Sequence, residues 1–208
     1  AMLVAASLIS CVGVATETDF WRPYHGADAH TFVLVSFDDA LTQAEAAHDI
    51  QYSAQIKGDA GHADEGAFDS ALKLHGNGSV VFSTDAVLGT ESIVGGRHLS
   101  VEAWIKISGA PGRPMAVVHR PVTREKTVGF TLSVTPERAL QWQVQKLKAH
   151  RGVRKGDVHV ESQPGMVPVG EWVHVAAVNM RLFVDGNEIP AAKSRGSLAL
   201  WSVKKETA

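Results

Sequence analysis

From about residue 31 onward, apolar and polar positions alternate along the chain with a period of two. In LSVEAWIKI, Leu99, Val101, Ala103, Ile105 and Ile107 fall on one face, while Ser100, Glu102, Trp104 and Lys106 fall on the other. Successive side chains of an extended chain point to opposite sides, so this pattern predicts a half-buried strand. ALQWQVQ at 139–145 repeats it, with Leu140, Trp142 and Val144 opposed by Gln141, Gln143 and Gln145. Similar short runs occur at 31–37, 50–57, 79–84, 115–120, 128–134, 157–161, 172–178, 181–184 and 197–203. The clusters HGNGS, GAPGRP, TPER, QPGMVPVGE and VDGNE separate most of them. Many short strands with turn signals between them predict an all-β sandwich or barrel.

Local signals refine this outline. GEWVHVAAVNMRLFVDG, residues 170–186, reads as two strands joined by a tight turn, and Asp185-Gly186 as a further hairpin turn. Asn77-Gly78 in HGNGS also reads as a hairpin turn, because both residues tolerate positive φ. With Ser79 it forms an N-glycosylation sequon. The single expected helix is DALTQAEAAHD at 39–49, capped by Asp38 or Asp39. No composition break marks a linker and no internal repeat is found, so one domain is the simpler reading.

Residues 1–15, AMLVAASLISCVGVA, carry no charge, and the polar TETD follows at once. The run is shorter than the ~20 apolar residues that span a bilayer. It reads as an export signal, with Gly13-Val14-Ala15 suited to signal peptidase and residues 16–30 as an N-terminal extension. LISC at 8–11 also fits a lipid-attachment motif that would make Cys11 an anchor. The competing reading is a buried N-terminal strand. Cys11 is the only cysteine, which excludes a disulfide framework.

Composition excludes some functions. The chain has 208 residues, 45% hydrophobic and 20% charged, and a formal net charge of −2. Balanced charge provides no broad basic face for phosphate backbones, so nucleic acid is not an expected partner.

HLSVEAWIKIS, GFTLSVTPERALQWQV, VPVGEWVHVAAV and RLFVDGNEI, preceded by VSFDDAL and EGAFDSALKLHGNGSVVF, resemble in order and spacing the laminin-G-like, concanavalin A-like jelly-roll modules. The resemblance covers about 31–200 and places one jelly-roll domain at 31–208. It implies two packed antiparallel sheets in a secreted or cell-envelope protein, with a glycan or an extracellular protein as partner, or a scaffold role. Two departures stand out. Only Asn179 and Met180 separate two strands that such modules part more widely, so the hairpin must be tight or its register altered. The usual closing strand, Gly-x-Ile-Asp-x-Val-x-Ile, is not found before Ala208; 197–203 provides one late strand at most. The expectation is a sandwich that is cut short or closes differently, with an inner strand left open to pairing.

Jelly rolls include glycoside hydrolases, and members resembling the laminarinase group carry Glu-x-Asp-x-x-Glu on one strand, which aligns the carboxylates in a cleft. The nearest match, Glu17-Thr18-Asp19-Phe20-Trp21-Arg22, ends in Arg and precedes the first convincing strand. No Gly-x-Ser-x-Gly elbow, phosphate loop or His-Glu-x-x-His occurs. His25 and His30 imply no third ligand, His174 reads as a satisfied sheet histidine, and His119 and Arg120 as the polar tip of a strand. No catalytic residue is assigned and no enzyme is expected. Asp38 and Asp39 are candidate calcium ligands, but a hard cation wants about six to eight oxygens, so turn or capping duty is the primary reading; no other cofactor is expected.

The binding candidates are three groups. Trp104 shares a face with Glu102 and Lys106, where a sugar ring can stack. Gln141, Gln143 and Gln145 form an amide row that can exchange hydrogen bonds with hydroxyls, and is also what a solvated face looks like. QKLKAHRGVRKGD gathers Lys146, Lys148, Arg151, Arg154 and Lys155 before Asp157, either as a solvated loop tip or as a patch for acidic glycans. The expected function is a non-catalytic recognition module for glycans; the alternative is a structural or adhesion domain in a larger protein.

Overall fold

The computed structural model describes residues 2–10, 31–37, 44, 51–83, 99–121, 128–146 and 158–196. Among these there is no helix. The strands follow the chain as β1 (Met2–Ser10), β2 (Thr31–Val35), β3 (Ser53–Ala63), β4 (Ala71–Ser83), β5 (Ser100–Ile107), β6 (Met115–Arg120) and β7 (Val128–Val134). Then come β8 (Leu140–Lys146), β9 (Val158–Ser162), β10 (Val173–Val178), β11 (Arg181–Val184), β12 (Asn187–Ile189) and β13 (Ala191–Arg195). An eight-stranded sheet runs β12-β11-β10-β5-β1-β4-β3, with β2 also paired to β1, and a five-stranded sheet runs β13-β9-β8-β7-β6. The strand pairs are antiparallel, which is the expected two-sheet sandwich.

The apolar face of each strand turns inward. Val101, Ala103, Ile105 and Ile107 of β5 and Val173, Val175 and Ala177 of β10 meet Phe130, Leu132 and Val134 of β7, Leu140, Trp142 and Val144 of β8, and Val158 and Val160 of β9 in one core. Each large side chain taken wholly out of water stabilises the fold by about 1.5–3 kcal/mol relative to exposure. The two-residue period is therefore the energetic basis of the sandwich as well as its signature.

The hairpins obey their turn residues. Asn179 adopts φ 57° and Val178 pairs directly with Arg181, so the two-residue turn is tight and the register continuous. Asp185 and Gly186 have φ 47° and 73°, positive at both centres as a type I′ turn requires. After β12 the chain crosses sheets at Pro190, a residue with no N–H for a ladder, and β13 adds to β9 at the edge of the five-stranded sheet. The sequence pattern missed β12 and β13, which are short and polar.

One reading changes. HGNGS is no hairpin turn: Asn77 and Gly78 lie inside β4, and the β3–β4 register jumps from Lys57↔Ser79 to Asp59↔His75. Residues 76–78 thus bulge opposite Gly58. The glycines are used for close approach and positive φ: Gly58 and Gly76 have φ 62° and 55°, and a Cβ on Gly78 would meet the Asp59 carbonyl oxygen at 2.0 Å. Residues 2–10 of the apolar N-terminal run form an inner strand, as the buried-strand reading has it. β1 pairs with β5 on one side, and with β4 and β2 on the other. The expected open inner edge is therefore closed along β5. The helix expected at 39–49, the late strand at 197–203, Cys11 and Gly13-Val14-Ala15 lie outside the described residues.

Candidate functional site

Trp104 and the glutamine row stand on opposite outer faces of the sandwich, so these two groups do not form one site. Trp104 projects from the eight-stranded sheet, on the side away from the core residues Ala103 and Ile105. Gln141, Gln143 and Gln145 project from β8 in the five-stranded sheet, opposite Trp142 and Val144.

Around Trp104 the structure builds an aromatic ledge. β10 pairs with β5 so that His174 lies directly opposite Trp104, their ring centroids 5.4 Å apart. From the bend before β4, Phe68 meets Trp104 edge to face, at 5.3 Å between centroids and 80° between planes. Phe68 is 54% exposed, a large apolar surface left to solvent. Its bend is fixed by the Gly66 N–H donating to the Asp69 carbonyl at 2.8 Å; a Cβ on Gly66 would come within 2.2 Å of the Ser70 carbonyl oxygen. At the side of the ledge, Glu102 approaches His174 Nε2 at 3.3 Å. The His174 main-chain N–H donates to the Asp185 carboxylate at 2.9 Å, which anchors the neighbouring hairpin. Alternation places Trp104, Glu102 and Lys106 on one face from sequence alone. Phe68 and the Glu102–His174 contact were missed; the only signal was a lone aromatic in the polar stretch HADEGAFDS, and strand pairing is not written locally.

The glutamine row is largely engaged with itself. Register sets Ser133, Gln141, Glu161 and Lys193 side by side, and Thr131, Gln143, His159 and Arg195 in the next row. Gln141 Nε2 donates to Glu161 at 2.9 Å, Gln143 Nε2 donates to Gln141 Oε1 at 2.8 Å, and His119 Nδ1 lies 2.9 Å from the Thr131 hydroxyl. The hydrogen bond from Lys193, aided by Gln141, holds the Glu161 carboxyl below the usual carboxylate range against the effect of its burial. Gln145 is exposed opposite Gly129 and stands outside this network. A face whose amides already satisfy one another has fewer groups to offer a ligand.

Of the basic group, Lys146 ends β8, while Lys148, Arg151, Arg154 and Lys155 lie outside the described residues, as do Asp38 and Asp39. Among the described residues no cluster of three or more His, Cys, Asp or Glu side chains is arranged to hold a metal. Among them also, no helix is long and apolar enough to cross a membrane. Arg120 is half-buried near Tyr52, where burial pushes the phenol up to about 12 against the pull of the guanidinium.

Comparison with curated proteins and with solved structures gives no match. A laminin-G family model, described as the concanavalin A-like lectin/glucanases superfamily, matches residues 75–205, which include strands β5 to β13. With that match and two antiparallel sheets packed on one core, the chain belongs to the concanavalin A-like lectin/glucanase superfamily.

Proposed function

We propose that the domain is a non-catalytic recognition module that holds glycans on the outer face of its eight-stranded sheet. The observation that carries this reading is Phe68, exposed and seated edge-on against Trp104, beside a carboxylate–imidazole pair. A pyranose has an apolar face of C–H groups and a rim of hydroxyls. An aromatic ledge removes the former from water, and Glu102 accepts hydrogen bonds from the latter. Glycoside hydrolysis uses two carboxyl groups about 5–9.5 Å apart across a scissile bond. Here Glu102 is engaged by His174, and Asp185 anchors a main-chain N–H. An extracellular or cell-envelope setting is part of this reading, and a larger polypeptide is a natural context for it.

A glycan array with Trp104→Ala, Phe68→Ala and Gln143→Ala variants tests it, with circular dichroism as the control for folding. Binding should weaken about fivefold or more in the first two and stay unchanged in the third. Binding indifferent to both aromatic substitutions would overturn the assignment of the face. Silence across the array would favour an adhesion or structural role.

A further inference from the structure

We infer that Asn77-Gly78 is a site of spontaneous covalent modification, at which the folded chain converts Asn77 to isoaspartate and aspartate with water as the only co-reactant. The chain has three asparagines, and only Asn77 is followed by glycine. The β3–β4 register passes from Lys57↔Ser79 to Asp59↔His75, so Gly76, Asn77 and Gly78 have no register partner on β3. Asn77 is exposed, and among the described residues its side chain makes no hydrogen bond. The other two asparagines are held. The Asn179 side-chain oxygen accepts the Leu99 N–H at 3.2 Å, and Asn187 Nδ2 donates to the Asp185 carbonyl at 3.1 Å. Met180 and Glu188 follow them, and a side chain at that position crowds the nitrogen that would have to attack; glycine leaves it uncovered.

The bulge puts nucleophile and electrophile on one exposed stretch of chain. The Gly78 main-chain nitrogen gives its proton to solvent base, and its electron pair forms a bond to Asn77 Cγ, closing a five-membered imide. The Cγ–Nδ2 bond breaks, and Nδ2 leaves as ammonia with a proton taken from water. Water then opens the imide. Attack at Cγ restores the original main chain with an aspartate; attack at the main-chain carbonyl carbon leaves Gly78 bonded to Cγ, an isoaspartate with an extra methylene in the backbone. Nothing is oxidised or reduced. A continuous ladder resists ring closure, because the neighbouring strand fixes the peptide that must turn towards the side chain; an unpartnered bulge leaves that motion free. The charges around it are of both signs: Lys57 and Asp59 flank Gly58 on β3, His75 precedes the bulge on β4, and Arg113, from the connection after β5, donates to the Gly76 carbonyl at 3.3 Å. No one sign dominates, so geometry sets the rate. The products bear on the fold. The Asn77 carbonyl oxygen and Oδ1 lie 2.7 and 2.8 Å from where a Cβ on Gly58 would stand, and Gly78 closely approaches the Asp59 carbonyl. An extra methylene or a carboxylate there pushes β4 away from β3.

The test is peptide mass spectrometry of the intact chain after incubation in mildly alkaline buffer, folded and in urea. The chain is produced in a bacterial host, so that the Asn77-Gly78-Ser79 sequon carries no glycan. Fragmentation that separates isoaspartate from aspartate reads both products. In the folded chain Asn77 should convert about tenfold or more faster than Asn179 and Asn187, and within about tenfold of its own rate in the urea-unfolded chain. Conversion should slow in mildly acidic buffer, where fewer Gly78 nitrogens lose their proton. Asn77→Gln should abolish it, because the larger ring closes far more slowly. The aged chain should unfold at a lower urea midpoint than the fresh one, while aged and fresh Asn77→Gln should unfold together. Asn77 that persists in the folded chain but converts in urea would overturn the inference, since the bulge would then protect the site. So would conversion of Asn179 or Asn187 in the folded chain at the rate of Asn77.

Discussion

The indole N–H of Trp142, in the five-stranded sheet, donates to the main-chain carbonyl of Asn179, in a hairpin of the eight-stranded sheet, at 2.8 Å. Asn179 adopts φ 57°, its own N–H donates to the Leu99 carbonyl at 3.0 Å, and its side-chain oxygen accepts the Leu99 N–H at 3.2 Å. One turn residue therefore ties the entry of β5, the β10–β11 hairpin and the opposite sheet together. Trp142→Phe removes the donor and leaves unfilled volume in a fully buried site, and should cost about 2 kcal/mol. Asn179→Gly keeps the backbone conformation and loses the side-chain bond, and should cost about 1 kcal/mol. Urea unfolding midpoints measure both.

Glycines on β3 and β4 should separate sharply. Gly78→Ala drives a Cβ into the Asp59 carbonyl, a contact of 2.0 Å against backbone, and should destabilise by about 2–3 kcal/mol. Gly61→Ala meets open space and should stay within about 0.5 kcal/mol of wild type. Thermal unfolding of the pair decides whether HGNGS is a bulge, since a hairpin turn would tolerate the two changes differently.

Gly66→Ala should act on binding through Phe68. The added Cβ would stand 2.2 Å from the Ser70 carbonyl oxygen, so the bend that presents the ring must shift. Glycan affinity should fall by a factor similar to that for Phe68→Ala, because both remove the same ring from the ledge. Titration of the two variants against one oligosaccharide compares them.

The acid limb of stability should depend on Glu161. Its folded-state pKa lies below its unfolded value, chiefly through the hydrogen bond from Lys193. A depressed carboxylate contributes stability above its unfolded pKa, about 4.3, and loses it as pH falls through the folded value. Glu161→Gln should therefore flatten the stability profile below about pH 4.3 and lower the plateau above it. Urea titrations between pH 7 and pH 3 test this, and an unchanged acid limb would refute it.

Deleting residues 1–10 should open the middle of the eight-stranded sheet. β5 would lose its ladder to β1 from Ser100 to Ile107, and β4 and β2 would lose theirs. Unpaired amide rows over an apolar interior favour aggregation. The truncated chain should be insoluble or unfold at a clearly lower urea midpoint; full stability without β1 would show that another segment fills its place.

What the sequence by itself determined is the set of strands that are half-buried. Alternation in LSVEAWIKI and ALQWQVQ fixes which side chains face inward, because the direction of a side chain on a strand depends only on parity. Asp185-Gly186 was legible for the same local reason, since few residues accept positive φ at both centres of a turn. Asn-Gly pairs serve bulges as well as turns, however: in HGNGS positive φ falls on Gly76, opposite Gly58, and Gly78 is there for its close approach to Asp59, which no local signal distinguishes from a hairpin. Only the tertiary structure decided that β1 is an inner strand, that His174 pairs with Trp104, and that Phe68 reaches the ledge from a bend more than thirty residues away in the chain. It also decided that Trp104 and the glutamines look away from each other. Strand partners are chosen by long-range closure and by the burial of whole faces, and no local run of residues carries that information.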